Sequence, residues 1–238
     1  MRQSGSLKAL FPRVAGKALD AVFLNTAGGL TGGDRMQYAL AAGPDAFLSL
    51  SSQAAERAYR AQPGQVARSD VTMTVAAGGC IHWLPQETIL FEGAALARRL
   101  RVDLESDASA LIVEPLIFGR EAMGEDLHDL SFTDQWRIFR DKKLVFADAV
   151  RLMGDAHRML THRAVAGGAR AMATVLLAGP KAALHADLPL PETAGASLIA
   201  DDLLLLRFLA KDGFDLRHDI IPVIEALSEV PLPKVWRL

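Results

Sequence analysis

Strict alternation of apolar and polar residues recurs along most of this 238-residue chain, and no feature restricts its fold more. Val71, Met73 and Val75 are offset by Thr72 and Thr74; Leu100, Val102 and Leu104 by Arg99, Arg101, Asp103 and Glu105; Trp136 and Ile138 by Arg137. Met36, Tyr38 and Leu40 alternate against Arg35, Gln37 and Ala39. A period of two places successive side chains on opposite faces of a strand with one buried face. Turn residues separate these runs, as at Gly43-Pro44-Asp45, Pro63-Gly64, Gly78-Gly79 and Ser106-Asp107. Asp141-Lys142-Lys143, with the return through Leu144, Phe146 and Ala147, reads as a hairpin. The expectation is a mainly β body of short strands.

The C-terminal part differs. Ala196–Ile199 and Leu203–Leu209 form a second candidate hairpin turning at Asp201-Asp202. Ile220, Ile221, Val223, Ile224, Leu227 and Val230 then recur at helical spacing, with Pro222 inside the pattern, so the helix is expected to start or kink there. Asp155–His162 is a second short helix candidate. No exact repeat, low-complexity tract or linker divides the chain, and residues 1–238 read as a single domain.

Composition removes several function classes. The net charge is −2, against the basic face a general nucleic-acid binder carries. Cys80 is the only cysteine, which leaves no disulfide framework and no cysteine zinc cluster. No apolar run reaches the ~18 residues of a membrane span, and Met1–Leu10 lacks the apolar stretch of a signal peptide. A soluble cytoplasmic protein is expected.

Residues 25–34, Asn25-Thr26-Ala27-Gly28-Gly29-Leu30-Thr31-Gly32-Gly33-Asp34, hold two glycine pairs around one leucine. A phosphate loop needs a helix after its glycines, so that amide N–H groups meet the anion. Here a strand pattern follows, and Asp34 would repel phosphate. That leaves a plain hairpin loop or a site built from backbone and one carboxylate.

Other candidates for chemistry lie in the same half of the chain. Glu114 interrupts an apolar strand, Leu111–Phe118, and a carboxylate there must be paired, protonated or liganded. It is either an internal ion pair, with Arg120 or Arg57 as candidate partners, or a water-lined or metal-handling acid. Glu56-Arg57-Ala58-Tyr59-Arg60, Trp83-Leu84-Pro85-Gln86-Glu87 and Gly119-Arg120-Glu121-Ala122-Met123-Gly124-Glu125 are further clusters. Glu87 and Glu125 read as interface acids or plain surface. Cys80 and His82, two apart on a strand, are a possible soft-metal pair. The six histidines contain no His-x-x-x-His pair, His157 and His162 being five apart, and there is no Gly-x-Ser-x-Gly elbow. The enzyme alternative is a β-rich metal-dependent hydrolase using Asp34, Glu114 and His82, without a complete ligand set or nucleophile.

Taken together and in order, Asn25–Asp34, Ala55–Arg60, Trp83–Phe91 and Gly119–Glu125 resemble the urease accessory protein UreD family, called UreH in some systems. Ala194-Gly195-Ala196-Ser197 and Leu204–Leu209 are similar to the same family, so the likeness runs from about residue 20 to the end. The resemblance implies a β-helix-like stack of strands with a small helical part. It implies a scaffold and metallochaperone rather than an enzyme, one that docks on apo-urease with UreF and the GTPase UreG and helps insert nickel. Nickel would be in transit through a water-filled tunnel, not bound as a tight cofactor. Asp34 and Glu114 are then the acids expected on that route, with Glu56, Arg57, Tyr59, Arg60 and Arg120 lining or buttressing it, and Gly28, Gly29, Gly32 and Gly33 forming the motif loop. Family members carry a longer segment before the equivalent of Asn25. This chain enters that region at Met1–Lys8, which implies either a short start or a lost edge strand, and lost strands would leave an unpaired sheet edge.

Overall fold

A computed structural model describes residues 1–13, 16–120 and 123–237; Glu121 and Ala122 of the fourth motif lie outside the described residues. The alternating segments form strands in the order β1 (Leu7–Leu10), β2 (Leu19–Asn25), β3 (Arg35–Ala42), β4 (Phe47–Ser52), β5 (Glu56–Ala58), β6 (Ala67–Val75), β7 (Cys80–Leu84), β8 (Thr88–Leu90), β9 (Ala95–Leu104), β10 (Ser109–Phe118), β11 (Leu130–Arg140), β12 (Lys143–Gly154), β13 (Ala171–Ala178), β14 (Ala194–Ala200) and β15 (Leu203–Ala210).

From β2 to β11 the chain shuttles between two sheets. One contains β1-β2-β4-β7-β10-β13-β15-β14, with β5 and β8 attached beside β10; the other is β12-β11-β9-β6-β3. Strands β2, β4, β7 and β10 are parallel to one another, as are β3, β6, β9 and β11. Each passage from one sheet to the other and back is one coil, and successive coils stack in register. The expected β-helix-like body is therefore a β-solenoid-like stack. It ends in antiparallel hairpins: β11–β12, turning at Asp141 and Lys142 with positive φ, and β14–β15.

Leu7–Leu10 pairs antiparallel with Val22–Asn25, which makes β1 the end strand of this sheet among the described residues.

The second helix, α2, spans Gly213–Leu227 with Pro222 inside it, so of the two alternatives at the proline, a start or a kink, it does not start there. Asp212 begins it, its Oδ1 accepting from the Asp215 N–H as an N-cap. Pro222 is tolerated because it lies on the exposed side, while Leu216, Ile220, Val223, Ile224 and Leu227 bury the opposite stripe against β13 and β15. The first, α1 (Ala156–Thr161), is the short helix expected after Asp155. No helix among the described residues is long and apolar enough to cross a membrane. Trp236, fully buried, ties the chain end to β7 by donating from Nε1 to the Leu84 carbonyl at 2.9 Å.

Candidate functional site

The four sequence motifs occupy the same corner of successive coils. Leu30, Ala58 and Leu90, one from each of the first three motifs, stand in register with Phe118, the residue before the fourth, and all are buried. Backbone bonds tie the corners together: Leu30 N–H to Arg57 O at 2.7 Å, Glu56 N–H to Glu87 O at 2.8 Å, Phe91 N–H to Ala58 O at 3.0 Å, and Gly119 N–H to Leu90 O at 2.8 Å. The motifs recur in sequence because each coil must turn this corner beneath the next.

The glycine loop is pinned from below. Asn25 Nδ2 donates to the Gly29 carbonyl at 2.9 Å and to the Glu56 carboxylate at 3.3 Å. Gly29 has a positive φ, and a Cβ there would run into the Tyr59 ring and lie 2.8 Å from the Arg57 carbonyl oxygen. Gly28 also has a positive φ, but open space surrounds it. Gly29→Ala is therefore expected to lower stability by about 1–3 kcal/mol more than Gly28→Ala, the cost of overpacking added to that of the backbone. Urea midpoints of the two variants measure this; equal losses would show that the loop does not press on Tyr59.

The second sheet decides what lies behind this corner. Met36, Ser69, Arg98 and Asp134 are register partners on β3, β6, β9 and β11. Arg98 sits between Leu96 and Leu100, and Asp134 between Phe132 and Trp136, all four neighbours being buried. Both charges thus point into the space between the sheets. From the other sheet, Glu114 sits between the inward Ile112 and Leu116. A charged layer therefore separates two apolar clusters, one containing Trp83, Ile112, Leu100 and Trp136, the other Leu90, Leu96, Leu116 and Phe132.

Arg98 bridges the layer. Its Nη1 donates to Glu114 Oε2 at 2.7 Å and to Thr88 Oγ1 at 3.1 Å, and its Nη2 donates to Asp134 Oδ2. Trp83 Nε1 donates to Glu114 Oε1 at 2.7 Å. The side chains of Arg98, Glu114 and Asp134 are 8–10% exposed. Burial pushes the Glu114 carboxyl up, with the Arg98 charge pulling the other way. For Arg98 burial opposes the charge, and the two carboxylates outweigh it, so its pKa is raised. Glu114 is thus ion-paired inside the chain, to Arg98 rather than to Arg57 or Arg120. The signal was present in the sequence: Arg98 and Asp134 share the parity of their apolar neighbours.

A cavity of about 290 Å³ opens along this layer. Asn25, Gly28 and Glu56 line its outer part, and Arg98, Glu114 and Asp134 its inner part. Burial raises the Glu56 carboxyl, opposed by the Asn25 hydrogen bond and reinforced by the charge of Asp34. Burial likewise raises the Tyr38 phenol in the cavity wall, with Glu56 and Glu114 adding to the effect. Outside the cavity lining, Thr174 and Arg207 continue the Glu114 row across β13 and β15, and Arg207 pairs with Asp148 of β12 at 2.6 Å.

The remaining candidates divide around this cavity. Arg57 lines it together with Glu56. Asp34 does not; it is exposed and its Oδ2 accepts from the Thr31 N–H at 2.8 Å, closing the loop on itself. Gly32 packs beside Gln65 and Ala61, and Gly33 holds a positive φ in the same turn. Tyr59 stacks edge-on against Phe91 and donates to the Gly28 carbonyl, so it buttresses the loop. Arg120 lies over the Phe91 ring and binds Glu125 at 2.8 Å, and Arg60 reaches Glu92 at 3.7 Å. Of the two readings for Glu87 and Glu125, interface acid or plain surface, the plain surface one does not describe either side chain. Glu87 is nearly buried and accepts from Arg217 at 2.9 Å, anchoring α2, while the Glu125 carboxyl is committed to Arg120, which holds its pKa low.

His82 faces the opposite side of its strand from Trp83, toward α2. There it lines a separate cavity of about 170 Å³ with Cys80, His185 and Glu229. Asp34, Glu114 and His82 consequently occupy three different places, a loop surface and the two faces of one sheet. The hydrolase arrangement cannot assemble. Among the described residues no group of three or more His, Cys, Asp or Glu side chains is placed to hold a metal ion.

A solenoid of parallel coils with a buried ionic layer and a cavity beside that layer defines a β-solenoid protein with an internal cavity. The chain belongs to the UreD urease accessory protein family, whose profile matches residues 1–237. It is 47% identical to a urease accessory protein UreD of Ruegeria pomeroyi over 99% of this chain and 93% of that one. It is 46% identical to a urease accessory protein UreD 3 of a Bradyrhizobium strain, over 99% and 86%. Against a urease accessory protein UreD of Rhizobium leguminosarum the identity is 44%, over 99% and 88%.

Proposed function

We propose that this protein is a non-catalytic cytoplasmic scaffold that binds apo-urease together with UreF and the GTPase UreG, and that nickel crosses it on the way to the urease active site. Family membership supports the urease role. The observation that carries the transit reading is the cavity running from Glu56 to Glu114 inside the solenoid. Asp34 stands outside that cavity, and its charge reaches Glu56, so its part in the proposal is to attract the cation to the mouth. Carboxylate oxygens are poor partners for nickel compared with imidazole or thiolate. A row of weak sites lets an ion enter and leave, as in permeation, where a tight site would trap it.

Deleting the gene is expected to leave urease short of nickel and inactive, with partial recovery in excess nickel. Glu56→Gln and Glu114→Gln are expected to lower the nickel content of urease matured in their presence while the variants still copurify with UreF. Fully nickel-loaded urease in the deletion strain would remove the function, and full loading with both variants would remove the route. Gene neighbourhood offers a simpler check, since the reading expects urease structural genes alongside.

A further inference from the structure

The three buried charges of the polar layer do more than cancel one another. Arg98 comes from one sheet and Glu114 from the other, and Asp134 is the neighbour of Arg98 in register on β11. One guanidinium spans both carboxylates, with nitrogens donating to Glu114 Oε2 and Asp134 Oδ2. With both acids ionised the trio carries one net negative charge. The clamp is also incomplete: Arg98 Nε is buried and has no hydrogen-bond partner. A second buried group in the cavity wall, the Gln86 Nε2 amide, is unpartnered as well. A purely architectural salt bridge would be packed around and closed off. This one forms the inner wall of a cavity of about 290 Å³, which exceeds the ~30 Å³ share of one liquid water several times over.

We propose that Arg98 is a tethered cation occupying the position a divalent metal ion takes in passage, between Glu114 and Asp134, and that its return displaces the metal. This rests on the transit reading above and adds the device that keeps the step reversible. A divalent ion brings twice the charge of the guanidinium to the same two carboxylates, so it competes for them despite the tether. Two oxygens from protein leave most of its coordination to water, and the local positive charge of Arg98 then favours release. Selection follows from charge: a monovalent ion gains nothing over the guanidinium it must replace. The side chain moves into the adjoining cavity when displaced, and no bond other than hydrogen bonds and metal coordination changes.

The test uses the purified full chain and Ni²⁺ in equilibrium dialysis, with Co²⁺ as a spectroscopic probe. Arg98→Gln removes the competing charge and is expected to bind Ni²⁺ at least tenfold more tightly than the parent. The double variant Arg98→Gln/Glu114→Gln is expected to lose that gain. Should Arg98→Gln not be recovered folded, Arg98→Lys carries a milder form of the test: its charge remains but an ammonium reaches one carboxylate and leaves the other open, so a gain of about threefold is expected. Parent-like affinity in a folded Arg98 variant, or a gain that persists without Glu114, overturns the proposal. The result is separable from the transit reading. Metal gained by the Arg98 variant with normal urease loading by both Glu56→Gln and Glu114→Gln would keep the displacement chemistry and remove the transit role; the reverse outcome would keep transit and remove Arg98 from it.

Discussion

Glu114→Ala is expected to destabilise the folded protein by about 3–5 kcal/mol, the cost of breaking a buried ion pair from one side. Two buried donors lose a bond in that variant: Trp83 Nε1 loses its acceptor, and Arg98 Nη1 keeps only Thr88 Oγ1. Asp134 remains against Arg98, so the guanidinium is not wholly uncompensated, which places the loss toward the lower end. Glu114→Gln fills the same space and retains one of the two hydrogen bonds, and its loss should be distinctly smaller. Chemical denaturation of the two variants beside the parent measures the difference. An alanine variant within about 1 kcal/mol of the parent would mean that the layer is hydrated and loosely held rather than clamped. The same ordering matters for the maturation test, where the glutamine variant separates loss of charge from loss of fold.

Acid is expected to weaken the protein through His82. This ring is enclosed between Phe47, at a centroid distance of 4.7 Å, and the Ser228 hydroxyl, at 3.4 Å. Burial lowers its pKa from 6.5 to about 4, with Glu229 opposing the shift. Above pH 6.5 the ring is neutral in folded and unfolded chains and contributes no pH dependence. As the pH falls from 6.5 toward 4, the unfolded chain takes up a proton that the folded one refuses. Stability then drops by about 1.4 kcal/mol per pH unit from this group, roughly 3 kcal/mol over the window. His82→Gln, neutral throughout, should show a slope shallower by about that amount between pH 6 and 4.5. Parallel stability curves for parent and variant would show that the ring is protonated in the folded state. The Cys80 thiol in the same cavity is pushed up to about 12 by burial, so it stays protonated and does not share in this window.

The strands were legible because their signal is local. A residue such as Met73 or Val102 announces its face by the polarity of its immediate neighbours, and both are fully buried. The hairpins at Asp141-Lys142 and Asp201-Asp202 were legible for the same reason. The start of α2 was less legible, because Pro222 interrupts the apolar pattern while the Asp212 cap lies outside it, and an exposed face tolerates the ring. Glu114 stood out because it broke an apolar run, whereas Arg98 and Asp134 were hidden among charged neighbours such as Arg99, Arg101 and Arg137. Only parity distinguishes them, and parity becomes decisive once the strand is known to have a buried face.

Pairing was beyond local reading. The sequence by itself determined that the chain is mainly β, that Glu114 must be compensated, and that four motif segments belong to one family pattern. The tertiary structure alone decided that those segments are one corner repeated on stacked coils, that Arg98 rather than Arg57 or Arg120 meets Glu114, and that His82 is screened from both by the sheet. The physical reason is that alternation fixes which face a side chain takes, while the partner across a 10-Å gap between sheets depends on the register of coils far apart in the chain. Asp34 illustrates the limit: its loop borders the cavity, yet its own carboxylate turns back to the Thr31 amide and leaves the cavity wall to Glu56, Arg98, Glu114 and Asp134.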